Sequence, residues 1–307
     1  MTLAATSTVP DASVTIRRIA DFLRGFSIEA TRPTSADYDA LKAVQPRPRY
    51  IYLAAIPTRP LAELVEYAAT TRAAGFEPVP HLAVRNLPSR AAFDDLLSRL
   101  VEKAGVKRAL VIAGDADRAQ GPYASALDAI ESGLLQRHGI VEIGIAGHPE
   151  GHPRVAVEIL DRALTSKIEA AEQTGLAVHI VTQFGFSAAA IERWILRVRD
   201  LGIEVPIRIG LAGPTNLATL LRYAKRCGVM ASAQGLTRQG GLIKHLVGTS
   251  APDGVIRPLA EAAERLGKVA THFFSFGGLG ATARWAAAAA AERIVLDRAD
   301  GFGVEPP

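Results

Sequence analysis

The chain has a single cysteine, Cys227, among 307 residues. That excludes a disulfide scaffold and any cysteine-rich zinc or iron–sulfur site. Cys227 is expected to be a buried small hydrophobe rather than a nucleophile. No stretch reaches 18 consecutive apolar residues, so no membrane-spanning helix is expected. The opening MTLAATSTVPDAS lacks a basic region followed by an apolar run. No signal peptide is expected there, and residues 1–10 read as a disordered tail. Charge of one sign is also lacking: 35 Lys and Arg against 31 Asp and Glu leave a formal +4. The cations are scattered, with no block of five, which argues against a nucleic-acid partner. The small excess suits an anionic ligand and ordinary solubility equally well. With 27 Gly and 18 Pro, near average usage, collagen-like and low-complexity classes are excluded. What is present, 49% hydrophobic and 21% charged residues, is enough to bury a core. A reducing cytoplasm fits this composition, and a homo-oligomer is left open.

Short β-rich apolar runs alternate with longer segments of helical period. Strands are predicted at Phe26–Ala30, Tyr50–Ile56, Glu77–Ala83, Arg108–Ala113, Val141–Ala146, Val178–Gln183, Pro206–Leu211 and Val269–Phe276. The helices that follow them are predicted at Ala36–Ala43, Leu61–Ala74, Arg90–Ala104, Tyr123–Gln136, Val157–Thr174, Ala188–Leu201, Asn216–Cys227 and Ala281–Ala299. A further helix, Asp11–Arg24, precedes the first strand, and Leu236–Val247 and Pro258–Leu266 lie between the last two. Ser187 and Gly202 suit the start and end of one of these helices. Pro60 suits a first turn. Eight such repeats predict a closed (β/α)8 TIM barrel spanning residues 11–307 as one domain. An open doubly wound sheet is the alternative, but no G-x-G-x-x-G follows the first strand.

In such a barrel the chemistry gathers at the C-terminal ends of the strands. Glu29, His81, Asp115, the pair His148 and His152, and Gln183 all fall there. Each has a plain structural reading. Glu29 could be a rim salt-bridge partner, Asp115 a loop cap, Gln183 an amide satisfied by a loop and His81 a hydrogen-bonded core histidine. A metal held by His81, His148, His152 and Asp115 is disfavoured. The histidine pair sits in a Pro/Gly-rich loop and no H-x-H follows the first strand. Gly210, Gly213 and Pro214 after strand seven, and Gly277, Gly278 and Gly280 after strand eight, suit either a phosphate site or close loop packing.

The string Gly144-Ile145-Ala146-Gly147-His148-Pro149-Glu150-Gly151-His152-Pro153 resembles the A-G-Y-P-E-G-H-P segment of methylenetetrahydrofolate reductases. Ser27-Ile28-Glu29, Pro80-His81-Leu82, Ala113-Gly114-Asp115, Thr182-Gln183-Phe184-Gly185-Phe186 and His272-Phe273-Phe274 resemble other family segments, in the family's order. The resemblance runs from about residue 12 to 295 and itself implies a (β/α)8 barrel. It also implies an FAD enzyme that takes a hydride from NADH or NADPH and passes it to 5,10-methylenetetrahydrofolate, giving 5-methyltetrahydrofolate. The reverse direction would serve one-carbon catabolism. By position it implies Glu29 as the acid that opens the methylene bridge, Asp115 near the flavin ring and pterin, and Gln183 on the pterin. His81, Tyr123, Ala124, Ala146, His148, His152 and Lys167 match the flavin-binding set, beside Asp115. Tyr223 falls where the family places an aromatic that stacks on nicotinamide or folate.

The sequence departs from the family at Ala30-Thr31-Arg32-Pro33, Ala54-Ala55, Ala113, Gly185, Ser187 and Gly277-Gly278. These positions bear on flavin affinity and donor choice, and leave Glu29, Asp115 and Gln183 in place. A paralogue that binds folate or flavin without turnover is the alternative function.

Overall fold

The structure, a computed structural model, describes residues 11–56, 58–227, 229, 249–297 and 301–305. Eight parallel strands close into one barrel: β1 (Ser27–Ala30), β2 (Tyr50–Leu53), β3 (Pro78–Ala83), β4 (Arg108–Ile112), β5 (Glu142–Gly147), β6 (Ala177–Thr182), β7 (Ile207–Ala212) and β10 (Val269–Phe274). β10 pairs with both β7 and β1, so the sheet has no edge. Each predicted barrel strand is found, with ends shifted by three residues or fewer.

The helices wrap the barrel: α1 (Ala12–Leu23), α2 (Ser35–Lys42), α3 (Leu61–Ala73), α4 (Arg90–Ala104), α5 (Ala126–Glu131), α6 (Leu134–Arg137), α7 (Val157–Gln173), α8 (Ala188–Asp200), α9 (Leu217–Cys227), α10 (Asp253–Leu266) and α11 (Leu279–Ala290). Ser187 caps α8 by accepting from the Ala190 amide. Three predictions need correction. The helix at Tyr123–Gln136 is two short ones, because Gly133 turns left-handed (φ 72°) between them. The last helix ends at Ala290, not Ala299; Glu292 at φ 64° breaks it, and β11 (Ile294–Leu296) pairs with β12 (Phe302–Val304) instead. α10 begins at Asp253, so Pro258 lies inside the helix rather than at its start. The small pair β8 (Thr215–Asn216) and β9 (Thr249–Ser250) was not expected from sequence. The tail 1–10 and the helix predicted at Leu236–Val247 lie outside the described residues. Cys227 is half-buried against an aromatic cluster, less enclosed than predicted.

Side chains alternate across each strand. Ile28, Ile51, Val111, Ile145, Ile180, Ile209 and Phe273 are fully buried in the main core, with the helices. The opposite set faces the barrel axis, where Tyr50, Tyr52, Val79, Leu110 and Val181 form a separate cluster. Polar members share that parity: Ser27 and Glu29 on β1, His81 on β3, His179 on β6, Arg208 on β7 and His272 on β10. Gly144 of β5 makes room for them, since a Cβ there would stand 2.9 Å from His179 Nε2. The barrel interior is therefore a polar column braced by tyrosines, where aliphatic layers are usual.

Candidate active site

Glu29 is the penultimate residue of β1, with its side chain 18% exposed, between two histidines from other strands. Its Oε2 lies 3.5 Å from His81 Nε2 and 3.9 Å from His272 Nε2. Both nitrogens are buried without a hydrogen bond. Burial pushes the Glu29 carboxyl above its usual range, with His81 pulling the other way. Burial also holds both imidazoles toward the neutral form, His272 at about 3. A buried carboxyl facing two neutral rings has no cation among the described residues to keep it ionised, so its acid form is favoured.

Beside Glu29 a cavity of about 450 Å3 opens, lined also by Thr31, Pro33, Asp37, Tyr223, Ser275 and Phe276. That is room for a bicyclic ring and part of a substituent. Tyr223 of α9 stacks on Phe276 with centroids 4.0 Å apart and planes 12° from parallel. Phe184, Phe186 and Phe274 back this pair. Ser275 Oγ donates to the Glu29 carbonyl at 2.6 Å and ties the β10 loop to β1. Two of the glycines after β7 and β10 serve close packing: a Cβ on Gly277 would stand 2.0 Å from the Pro214 carbonyl oxygen, and one on Gly213 2.5 Å from Thr282 Oγ1.

A second cavity, about 280 Å3, is lined by His81 with Ala54, Ala55, Arg59, Asn86 and Gln120 among others. Arg85 pins the β4 loop by donating to the carbonyls of Ala124 (2.7 Å) and Ala116 (3.2 Å). Past β5, the rings of His148 and His152 meet edge to face at 5.3 Å. Burial, then His152 and Lys167, hold His148 down to about 4, and burial holds Lys167 down to about 8. Among the described residues, no three His, Cys, Asp or Glu side chains could share a metal ion.

The model of the family described as methylenetetrahydrofolate reductase matches residues 62–238, more than half of the chain. The chain belongs to the methylenetetrahydrofolate reductase family. Methylenetetrahydrofolate reductase 2 of Saccharomyces cerevisiae is 29% identical over 161 residues, 49% of this chain. The chain thus aligns with 26% of that yeast protein's length. A solved structure assigned as a deoxyribose-phosphate aldolase of Toxoplasma gondii ME49 overlays 87% of this chain and 94% of its own. Its TM-score is 0.44 at 10% identity, a likeness too weak to bear on chemistry.

Every residue expected to hold flavin or substrate falls inside the family match, whereas Glu29 precedes it. Lys167 is half-buried, and no carboxylate among the described residues offsets it. Beside the neutral rings of His148 and His152 it completes a cluster of one ammonium and two imidazoles, groups that can donate to an anion such as a diphosphate. The Tyr123 hydroxyl is buried without a partner, its ring set against Phe93 at 5.3 Å. A buried orphan donor at a predicted ligand position suits a ligand atom. The cavity at Ala54 and Ala55 leaves space beside His81. These residues fit FAD. Ala124 contributes less than expected, because its carbonyl is taken by Arg85 and its amide by Asp128 at 2.7 Å. Ala146 is half-buried at the end of β5.

Gln183 and Asp115 stand apart in character. Gln183 is half-buried and its Oε1 accepts from the Phe184 amide at 3.0 Å, which leaves its NH2 group for a ligand. Asp115 is exposed in the β4 loop. Gly185, a departure from the family, has a local reason. Glu150 Oε1 sits 2.8 Å from where its Cβ would be and accepts from the amides of Phe186 (2.8 Å) and Ser187 (3.1 Å). His272 and Phe276 were missed as site residues. The sequence carried a signal for His272: a basic side chain at an inward position of an otherwise apolar strand.

Proposed function

We propose that the chain is a flavin-dependent 5,10-methylenetetrahydrofolate reductase, moving a hydride between NADH or NADPH and the folate. The observation that carries this is a buried carboxyl, Glu29, at the wall of a cavity closed by the Tyr223–Phe276 stack. The methylene bridge is unreactive until one of its C–N bonds opens to an iminium, and the departing amine nitrogen needs a proton. A neutral Glu29 supplies it at the cavity wall, where a solvated glutamate would be ionised near pH 7. Tyr223 offers an aromatic surface for a flat ring, and the Gln183 NH2 group a donor for the pterin edge. Lys167, His148 and His152 would hold the diphosphate of FAD, with Tyr123 and His81 as further flavin-binding residues. FAD, when bound, accepts and returns the hydride. The Asp115 carboxylate, exposed in the β4 loop, would disfavour extra negative charge on a flavin ring held beside it. The same acid serves the reverse reaction as a base, so both directions use one site. The compartment we assign is a reducing cytoplasm, consistent with one cysteine in the chain and with no described helix long and apolar enough to cross a membrane.

A visible spectrum of the purified protein is the direct test. A flavin band that bleaches on anaerobic addition of NADH, and returns on adding methylenetetrahydrofolate, is the expected result. A colourless protein that still reduces the folate with NADH would overturn the flavin assignment.

A further inference from the structure

We propose that His272 is a positioning residue that keeps Glu29 in its acid form, because a buried chain from Arg208 through Ser27 turns the bare nitrogen of the imidazole toward the Glu29 carboxyl. The role given to Glu29 rests on the function proposed above; the hydrogen-bond argument does not.

Ser27 and Glu29 point to the same side of β1, and His272 is the register partner of Ser27 on β10. His272 is fully buried, with Nδ1 3.0 Å from Ser27 Oγ. All three contacts of Ser27 Oγ are hydrogen bonds at once in only one arrangement of protons. Ser27 Oγ lies 3.3 Å from the Thr271 carbonyl, which can only accept, and 3.4 Å from Arg208 Nη1, which can only donate. The hydroxyl hydrogen therefore goes to Thr271, and one lone pair takes the Arg208 N–H. The other lone pair faces His272 Nδ1, which must carry the hydrogen. A neutral imidazole has one N–H, so Nε2 is a bare acceptor. Burial, Arg208 and His179 keep the ring neutral.

That bare Nε2 is buried, has no hydrogen bond and lies 3.9 Å from Glu29 Oε2. A carboxylate there would set lone pair against lone pair. A carboxylic acid sets its O–H toward an acceptor, at a separation that a small ring rotation closes. The other groups around the pair do not reverse this. Tyr52 of β2 packs its ring 4.6 Å from His272 but directs its hydroxyl to His179 Nε2 at 2.7 Å. His81 of β3 is held neutral by burial, and no hydrogen bond among the described residues fixes its tautomer. Arg208 of β7 reaches Ser27, on the far side of His272 from Glu29. Once Glu29 has given its proton to the folate nitrogen, with one O–H bond broken and one N–H bond formed, its carboxylate faces no fixed donor among the described residues. It then regains a proton from solvent through the cavity.

The test is an infrared titration of the holoenzyme labelled with 13C-glutamate, the Glu29 acid band being the one lost in Glu29→Gln. His272→Asn keeps a donor for Ser27 but is too short to reach Glu29. Ser27→Ala leaves the ring in place but releases its tautomer, so that Nε2–H can donate to the carboxylate. Both variants are expected to lower the Glu29 midpoint by about one pH unit, the size of one hydrogen bond. The alkaline limb of folate-dependent activity should move down with it. A purely structural role would not give Ser27→Ala that shift. An unchanged midpoint in Ser27→Ala overturns the proposal, and this variant decides alone where His272→Asn fails to fold. If the wild type does not reduce methylenetetrahydrofolate, the functional reading fails, while the titration still decides what His272 does.

Discussion

Replacing Glu29 with Gln keeps the shape of the side chain and removes its proton. Two effects of opposite sign follow. General acid catalysis is typically worth about 10²–10⁴-fold, or roughly 2.7–5.4 kcal/mol of barrier. Folate reduction should fall by that factor. NADH oxidation by a quinone acceptor, which needs no proton at the methylene bridge, should stay within a few-fold of wild type. Stability should change the other way. Burial lifts the Glu29 pKa above its ordinary 4.5, so the native state holds a proton that the unfolded chain has released. Such a group favours folding fully below the unfolded value and loses that contribution as pH rises through the native one. Each unit of lift then costs about 1.4 kcal/mol at high pH. Gln has no charged form to bury, and its NH2 can donate to the bare nitrogen of His272. Glu29→Gln should therefore melt higher than wild type at pH 8, with the gap closing below pH 4.5. Stopped-flow kinetics with each acceptor and calorimetry across pH measure both effects. Equal loss with both acceptors would make Glu29 structural. Near-normal folate turnover would put the acid elsewhere, and a lower melting temperature at pH 8 would refute the burial argument.

Three further outcomes are expected. Lys167→Met should release flavin into the filtrate on ultrafiltration, and wild-type retention should weaken as pH rises above about 8, where the ammonium is lost. Gly185→Ala pushes a methyl into the Glu150 carboxylate and strands the Phe186 and Ser187 amides; urea unfolding should show a loss of about 1–3 kcal/mol. Gln183→Ala should raise KM for the folate several-fold more than it lowers kcat, since it removes a recognition donor and no transferred proton; an unchanged KM would remove Gln183 from the pterin edge.

Periodicity made the barrel legible. Val, Ile and Leu runs such as Ile207–Leu211, each followed by a helix of 3.6-residue period, allow few arrangements besides a parallel sheet, and Gly202 and Ser187 marked helix ends by backbone chemistry alone. Local signals also failed where local rules conflict. The alanine run Trp285–Ala291 favours helix strongly, yet Glu292 at φ 64° turns the chain into a hairpin whose worth comes from contacts across it. Pro258 marks a helix start by propensity, but the packing of α10 against α1 and α8 places it inside the helix. At the site, the strings around Glu29, His81, Gln183 and His148–His152 were readable one by one, because each lies at a strand end in a recognisable segment. Their meaning was not. Glu29, His81 and His272 come from β1, β3 and β10, and only closure of the sheet, with β10 against β1, brings Glu29 Oε2 within 3.9 Å of both rings. The Glu29 pKa depends on burial, and the His272 tautomer on which partner of Ser27 can only accept and which can only donate. Those are properties of a filled interior shared by strands more than 200 residues apart in the chain, and no run of neighbouring residues contains them.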